Sequence, residues 1–248
     1  MLTASTRRHT VLEIVIARGD RPHVASVGET IMTGAGSEGI PLPPRDPSLR
    51  VRLQRHSPSD AKEAADLAEM LAFVDCHADP FDRGIVEGHL TGSAVVVSAT
   101  GDRVLLLHHR KLRRWLQPGG HAEPGEREGE SVALREAREE TGIEGLTLHP
   151  SAPRPLDVDV HPIPARGNEP AHRHLDLRYL VVAPGDATLR RLASEARALR
   201  WFTWEEVGEV DLDPGLRRAL RATRALVSLA LTPSSREASD DDLRAAEL

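Results

Sequence analysis

Cysteine is nearly missing from this chain: Cys76 is the single one among 248 residues. One thiol excludes an internal disulfide framework and fits a reducing compartment. Placed near a helix end, Cys76 reads as a small packing residue. Aromatic residues are scarce too, at 3%, so the core must be built from aliphatic side chains, which a 40% hydrophobic content can supply. Lysine occurs only as Lys62 and Lys111 among 32 basic residues, a skew we attribute to coding bias before function. No apolar run approaches the roughly 18 residues needed to cross a bilayer. The N-terminus lacks the basic-then-apolar plan of a signal peptide, because Glu13 and Arg18 bracket Val15-Ile16 too closely. A net charge of −6 and a pI of about 6.1 speak against a general nucleic-acid or membrane-surface binder. The expectation is a soluble, cytoplasmic protein without nucleic-acid or membrane partners.

What the chain does have is carboxylate, concentrated in one place. Gly119-Gly120-His121-Ala122-Glu123-Pro124-Gly125-Glu126 reads as a glycine pair leading through a turn into a helix, and Arg135-Glu136-Ala137-Arg138-Glu139-Glu140-Thr141-Gly142-Ile143 lies on that helix. Residues three and four apart share a helix face, so Glu136, Glu139 and Glu140 converge and repel. A cation between them relieves that repulsion, and all-oxygen ligation selects a hard divalent ion, Mg²⁺ first and Mn²⁺ second. The bland reading is a solvated acidic helix closed by a glycine cap.

These residues resemble the Nudix box, G-x5-E-x7-R-E-U-x-E-E-x-G-U with U apolar. Gly120, Glu126, Arg135, Glu136, Ala137, Glu139, Glu140, Gly142 and Ile143 fill every specified position. Eight residues lie between Glu126 and Arg135, one more than the family pattern has. The extra residue should turn Glu126 toward Arg135 or solvent. The resemblance implies an α/β/α sandwich around a mixed β-sheet, covering about residues 90–210, with additional N-terminal and C-terminal helices. It implies Mg²⁺-dependent hydrolysis of a diphosphate linkage in a nucleoside diphosphate joined to another moiety. The metal would be held by Glu136, Glu139, Glu140 and the Gly119 carbonyl. Catalytic roles then fall to Glu139, Glu140 and Arg135. The family's extra glutamate before the last strand corresponds to Glu195, with Glu169 second. A non-catalytic nucleotide-binding or regulatory domain and an isomerase on the same fold are the alternatives.

Taken in order, residues 1–56 form an ill-defined extension, with a strand over 11–17 and a Gly/Pro/Ser-rich loop over 34–47. Ser57-Pro58-Ser59-Asp60 predicts the start of a helix running to about His77, with Ser57 as cap and Ala64, Leu67, Ala68, Leu71 and Val74 as its apolar stripe. We expect that helix to dock on its own domain or across a homodimer and to wall the substrate pocket. Residues 93–97 and 103–107 read as strands around a Gly101-Asp102 turn. His109, Arg110 and Lys111, in a basic run just ahead of the glycine pair, are candidate substrate-phosphate contacts. On the box helix, Leu134, Ala137 and Thr141 should face the core. Residues 146–148 and 156–160 are further strands, with a loop over 162–170. Residues 172–182 alternate with period two, so His172, His174, Asp176 and Arg178 share a face. His174 is a candidate substrate contact there. A His-x-His-x-Asp row also suits a metal, though imidazoles favour zinc or iron over Mg²⁺. A last strand at 199–203, a short helix and a final helix from Asp213-Pro214 complete the 57–231 domain. The polar tail, 232–248, is expected to be disordered.

Overall fold

The computed structural model describes residues 47–190 and 196–231. The strand expected at 11–17, all of the loop expected over 34–47 except Pro47, Glu195 and the 232–248 tail lie outside the described residues, and Pro47 begins a helix instead. The apolar run ending in Val95-Val96-Val97 makes a strand with both faces covered, as in strands sandwiched between layers. That strand is β1 (Gly88–Val97), buried at every position. It pairs in parallel with β7 (His172–Val182), in register from Gly88 opposite Arg173 to Val97 opposite Val182. Its other edge is shared: β2 (Arg103–His109) takes the C-terminal end, and β4 (Gly119–His121) takes the N-terminal end, both antiparallel. β2 also pairs with β3 (Trp115–Leu116) and β8 (Ala196–Thr203). β5 (Thr147–Leu148) and β6 (Asp157–Ile163) lie end to end along β7. The eight strands form one mixed sheet.

Helices cover both faces, as expected. On one side α3 (Gly129–Thr141) sets Val132, Ala133 and Ala137 against Ala94, Val96, Leu177 and Tyr179. On the other, α4 (Trp204–Gly208) and α5 (Pro214–Leu231) set Val207, Leu216 and Ala219 against Val95, Leu106 and Phe202. Leu134, expected in the core, is only half-buried. β6 runs on to Ile163, taking in the start of the expected 162–170 loop. No helix among the described residues is long and apolar enough to cross a membrane.

Among the described residues, two helices precede the sheet. α1 (Pro47–Gln54), unforeseen from the sequence, buries Leu49 and Leu53, and its Arg52 pairs with Glu128 and Glu130 at the start of α3. α2 (Ala61–Cys76) begins later than expected: Asp60, not Ser57, caps it by accepting the Glu63 amide at 2.8 Å. Its buried face is also rotated. Leu67, Met70, Phe73 and Val74 go inward with Glu63 and Asp66, while Ala64 and Ala68 are exposed and Leu71 is half-buried. Met70 and Phe73 outweigh two alanines in apolar area, and their position on the helix decides which stripe is buried. Met70→Ala should therefore cost about 2–5 kcal/mol, whereas Ala68→Asp should stay within about 1 kcal/mol. Thermal melts of the two variants give the comparison; equal losses would restore the alanine stripe.

α2 docks along β6, a strand whose outer edge would otherwise offer bare backbone groups. Glu63 accepts the Val158 amide at 3.3 Å, and Lys62 donates to the Val160 carbonyl at 2.9 Å. Glu63 is 1% exposed. Burial alone would raise its pKa, but hydrogen bonds from His56 and Ser59 outweigh that and bring it down to about 2 from 4.5. A depressed folded-state pKa means that this stabilisation is full above 4.5 and is lost as pH falls toward about 2. Glu63→Gln should be less stable at neutral pH and should lose less than wild type on acidification through that window. Parallel acid-unfolding curves for the two proteins would contradict this.

The α5-facing side of the sheet holds a buried ionic layer. Arg178, 3% exposed, donates to Asp157 at 2.9 Å and Asp176 at 3.1 Å and lies 3.2 Å from Asp159. Arg218 of α5 reaches Asp157 at 2.6 Å, and Asp176 accepts from Thr91 and Ser93 at 2.9 and 2.6 Å. Asp176 and Arg178 thus face no solvent; only His172 and His174 of that row stay partly open.

Candidate active site

The glycine pair itself lies in a strand that the sequence did not reveal: Gly119 and Gly120 are part of β4, opposite Ser93 and Gly92. The turn comes after it, where the Glu126 amide donates to the Glu123 carbonyl at 2.9 Å. β4 passes close beneath α3, and that proximity explains the glycines. A Cβ on Gly120 would sit 2.5 Å from Glu136 Oε1, so any side chain there would push the carboxylate away. The Gly119 amide donates to Glu140 Oε2 at 2.9 Å. Two adjacent backbone positions therefore fix two of the three glutamates. α3 ends as expected at Gly142, whose φ of 67° and ψ of 17° are left-handed and whose amide closes on the Arg138 carbonyl.

Arg135 joins the carboxylates together. It donates to Glu126 through Nε and Nη2 at 3.0–3.2 Å, to Glu136 at 3.1 Å, to Glu139 at 3.2 Å and to the His121 carbonyl at 2.7 Å. The box's extra residue is absorbed ahead of α3, and Glu126 points at Arg135. Burial works against the charge on Glu126, yet hydrogen bonds from Arg135 and the Glu123 amide hold its carboxyl below the ordinary range. Glu136 goes the other way. Burial pushes its carboxyl up, Arg135 opposes that, and the Glu139 and Glu126 charges add to it. Glu140 is 9% exposed, while the Glu139 side chain is half-exposed.

Glu126, Arg135, Glu136 and Glu139 form one wall of a cleft of about 590 Å³. His121 and Glu123 also line it, and Asp79, Phe81, Asp82 and Arg83 come from the segment between α2 and β1. The segment after α2, and not the helix itself, therefore shapes the pocket. Glu169 stands beside it, 3.7 Å from Arg83. α3 presents only carboxylate donors to this cleft, the set that a hard divalent ion takes. Burial is the main cause of the upward shift at Glu136, and the Glu139 and Glu126 charges add to it, so a cation bound beside them would favour its ionised form.

The remaining sequence candidates are scattered. His109 ends β2, where its Nδ1 accepts the Leu112 amide at 3.2 Å. Arg110 and Lys111 are exposed on the β2–β3 turn, outside the residues that line the cleft. His174 belongs to a group of imidazoles that also includes His89, His121 and His172, with ring centroids 4.7–5.2 Å from its own. Burial first, then neighbouring imidazoles, lower His89 to about 4 and His174 to about 2. His89 and His121 were missed from the sequence because only the pairing of β1 with β7 and β4 brings them there.

Comparison with known proteins fits this geometry. A family model of the NUDIX domain matches residues 88–223. The chain is 33% identical over 112 residues to mouse (Mus musculus) bis(5'-nucleosyl)-tetraphosphatase [asymmetrical], covering 44% of this chain and 69% of the relative. Similar solved structures include a C. elegans Ap4A hydrolase (22% identity, TM-score 0.45, 56% of this chain and 97% of that one). Another is a NUDIX-family hydrolase from Clostridium perfringens (26% identity, TM-score 0.42, 56% and 97%). With the box on α3, its glutamates clamped by β4 and the family match spanning the whole sheet, the chain belongs to the Nudix family and is a pyrophosphohydrolase.

Proposed function

We propose that this enzyme cleaves a diphosphate linkage in a nucleoside diphosphate joined to another moiety, and that within this class it takes a dinucleoside polyphosphate. The observation that carries the reading is the seating of Glu136 on Gly120 and of Glu140 on the Gly119 amide, in and beside the wall of the cleft. Likeness to the mouse tetraphosphatase supports the narrower substrate. Glu136, Glu139, Glu140 and the Gly119 carbonyl would hold Mg²⁺, or Mn²⁺ in its place, and the ion would supply charge to neutralise pyrophosphate oxygens and to lower the pKa of a bound water. Arg135 keeps Glu136 and Glu139 aimed at one point through its planar fork. Arg83, across the cleft, is placed to meet substrate phosphate. Glu195, immediately before β8, joins the proposal as a further catalytic carboxylate; Glu195→Gln should lower kcat and leave KM near wild type.

Product analysis tests the substrate. The purified chain with Mg²⁺ should convert diadenosine tetraphosphate to AMP and ATP in equal amounts, faster than it cleaves ADP-ribose, nucleotide sugars or oxidised nucleoside triphosphates. Two ADP molecules would overturn the asymmetric cleavage, and preference for another member of that panel would overturn the dinucleotide assignment.

A further inference from the structure

Four imidazoles from three strands meet on one face of the sheet. Parallel pairing of β1 with β7 sets His89 beside His174, and His172, two residues earlier on β7, points the same way. β4 adds His121, which pairs opposite Thr91, two residues along from His89. Nε2 of His174 lies 3.1 Å from Nε2 of His121 and 3.3 Å from Nε2 of His172. One ring nitrogen each from His89, His172 and His174 falls within 4.8 Å of the other two.

Hydrogen bonding accounts poorly for this arrangement. A neutral imidazole has one N–H and one lone pair, so a single N–H on His174 Nε2 cannot serve two neighbours equally. His172 Nδ1 faces the Pro170 carbonyl at 2.9 Å, so the proton sits there and Nε2 presents a bare lone pair. His89 is 3% exposed, yet neither of its ring nitrogens has a hydrogen-bond partner among the described residues. A buried polar ring left without a partner costs stability unless something fills the gap.

We infer that His89, His172 and His174, with His121 as the fourth imidazole, form a binding site for one divalent transition ion of the Zn²⁺ class, adjoining the carboxylate site but distinct from it in donor type. Zn–N bonds of about 2.0–2.1 Å in a tetrahedron put ligand nitrogens about 3.3–3.4 Å apart. The observed 3.1 and 3.3 Å separations lie close to that edge length. The Pro170 carbonyl behind His172 is the kind of outer partner that fixes the tautomer of a metal-bound histidine. Imidazole nitrogens select zinc, nickel, copper or iron over Mg²⁺, so the two sites sort their ions by donor type. His161 stands aside, with its Nδ1 held by Asp159 at 3.0 Å.

The test uses the full chain without a histidine tag, stripped with chelator and dialysed against Zn²⁺ or Co²⁺. We expect one tightly held Zn²⁺ per chain, retained in millimolar Mg²⁺, and strong visible absorption from tetrahedral Co²⁺. His172→Ala and His89→Phe should each weaken Zn²⁺ binding by at least about 100-fold, more than loss of an outer partner does. Glu139→Gln should bind Zn²⁺ like wild type. Zn²⁺ should raise the melting temperature of wild type and leave that of His172→Ala unmoved. Melts of the metal-free variants show whether each is folded before its binding is scored. Absence of stoichiometric Zn²⁺ in wild type overturns the site, as does zinc binding lost in Glu139→Gln and kept in folded His172→Ala.

Discussion

Glu140→Gln should lower kcat by a factor of about 10² or more at saturating Mg²⁺. The substitution keeps side-chain volume, and the amide oxygen can still accept the Gly119 N–H that Glu140 Oε2 accepts at 2.9 Å. What disappears is one negative charge on the buried end of the α3 carboxylate row. Packing is preserved, so the melting temperature should change little, and the loss should appear in kcat. Glu126→Gln provides the contrast. Its carboxylate reaches Arg135 at 3.0 Å, so its removal acts only by loosening Arg135 and should cost several-fold less. Equal losses in the two variants would make Glu126 a metal ligand. A near wild-type rate in Glu140→Gln would remove that residue from the site.

The largest stability effect should come from Arg178→Met. Arg178 is the shared cation for Asp157, Asp159 and Asp176, all at most 5% exposed. Methionine fills much of the same space but leaves these carboxylates facing one another, with Arg218 the nearest remaining guanidinium to Asp157. Breaking a buried ionic cluster from one side costs about 3–5 kcal/mol, because the stranded charges stay desolvated. For a domain of this size the melting temperature should fall by about 10 °C. A shift of a degree or two would show that the aspartates are protonated or hydrated and that the layer adds little to stability.

How far the sequence could be read depends on how local each feature is. α3 was legible because its cap glycine and its glutamate spacing are written within a dozen residues. β4 was not: glycines favour turns, and what makes Gly119 and Gly120 a strand is pairing with Ser93 and Gly92, far away in sequence. On α2 the alanine stripe and the true buried face differ by about one helical position. Only the docking of Met70 and Phe73 against the core decides between them. The polar row on β7 looked half-solvated because part of its cover arrives from the last helix, where Gly215 packs close against Arg178. The same holds for the imidazole group, where one strand supplied two histidines and the parallel neighbour supplied the buried third.

Mn²⁺ binding followed by electron paramagnetic resonance addresses the central claim, that the α3 carboxylates hold the ion on which hydrolysis depends. Wild type should bind Mn²⁺ in a form that Mg²⁺ displaces, with turnover rising in step with occupancy. The Glu136→Gln/Glu139→Gln double variant should lose both binding and turnover while His172→Ala keeps both. Wild-type Mn²⁺ binding in the double variant, or full turnover after exhaustive chelation, would contradict the account.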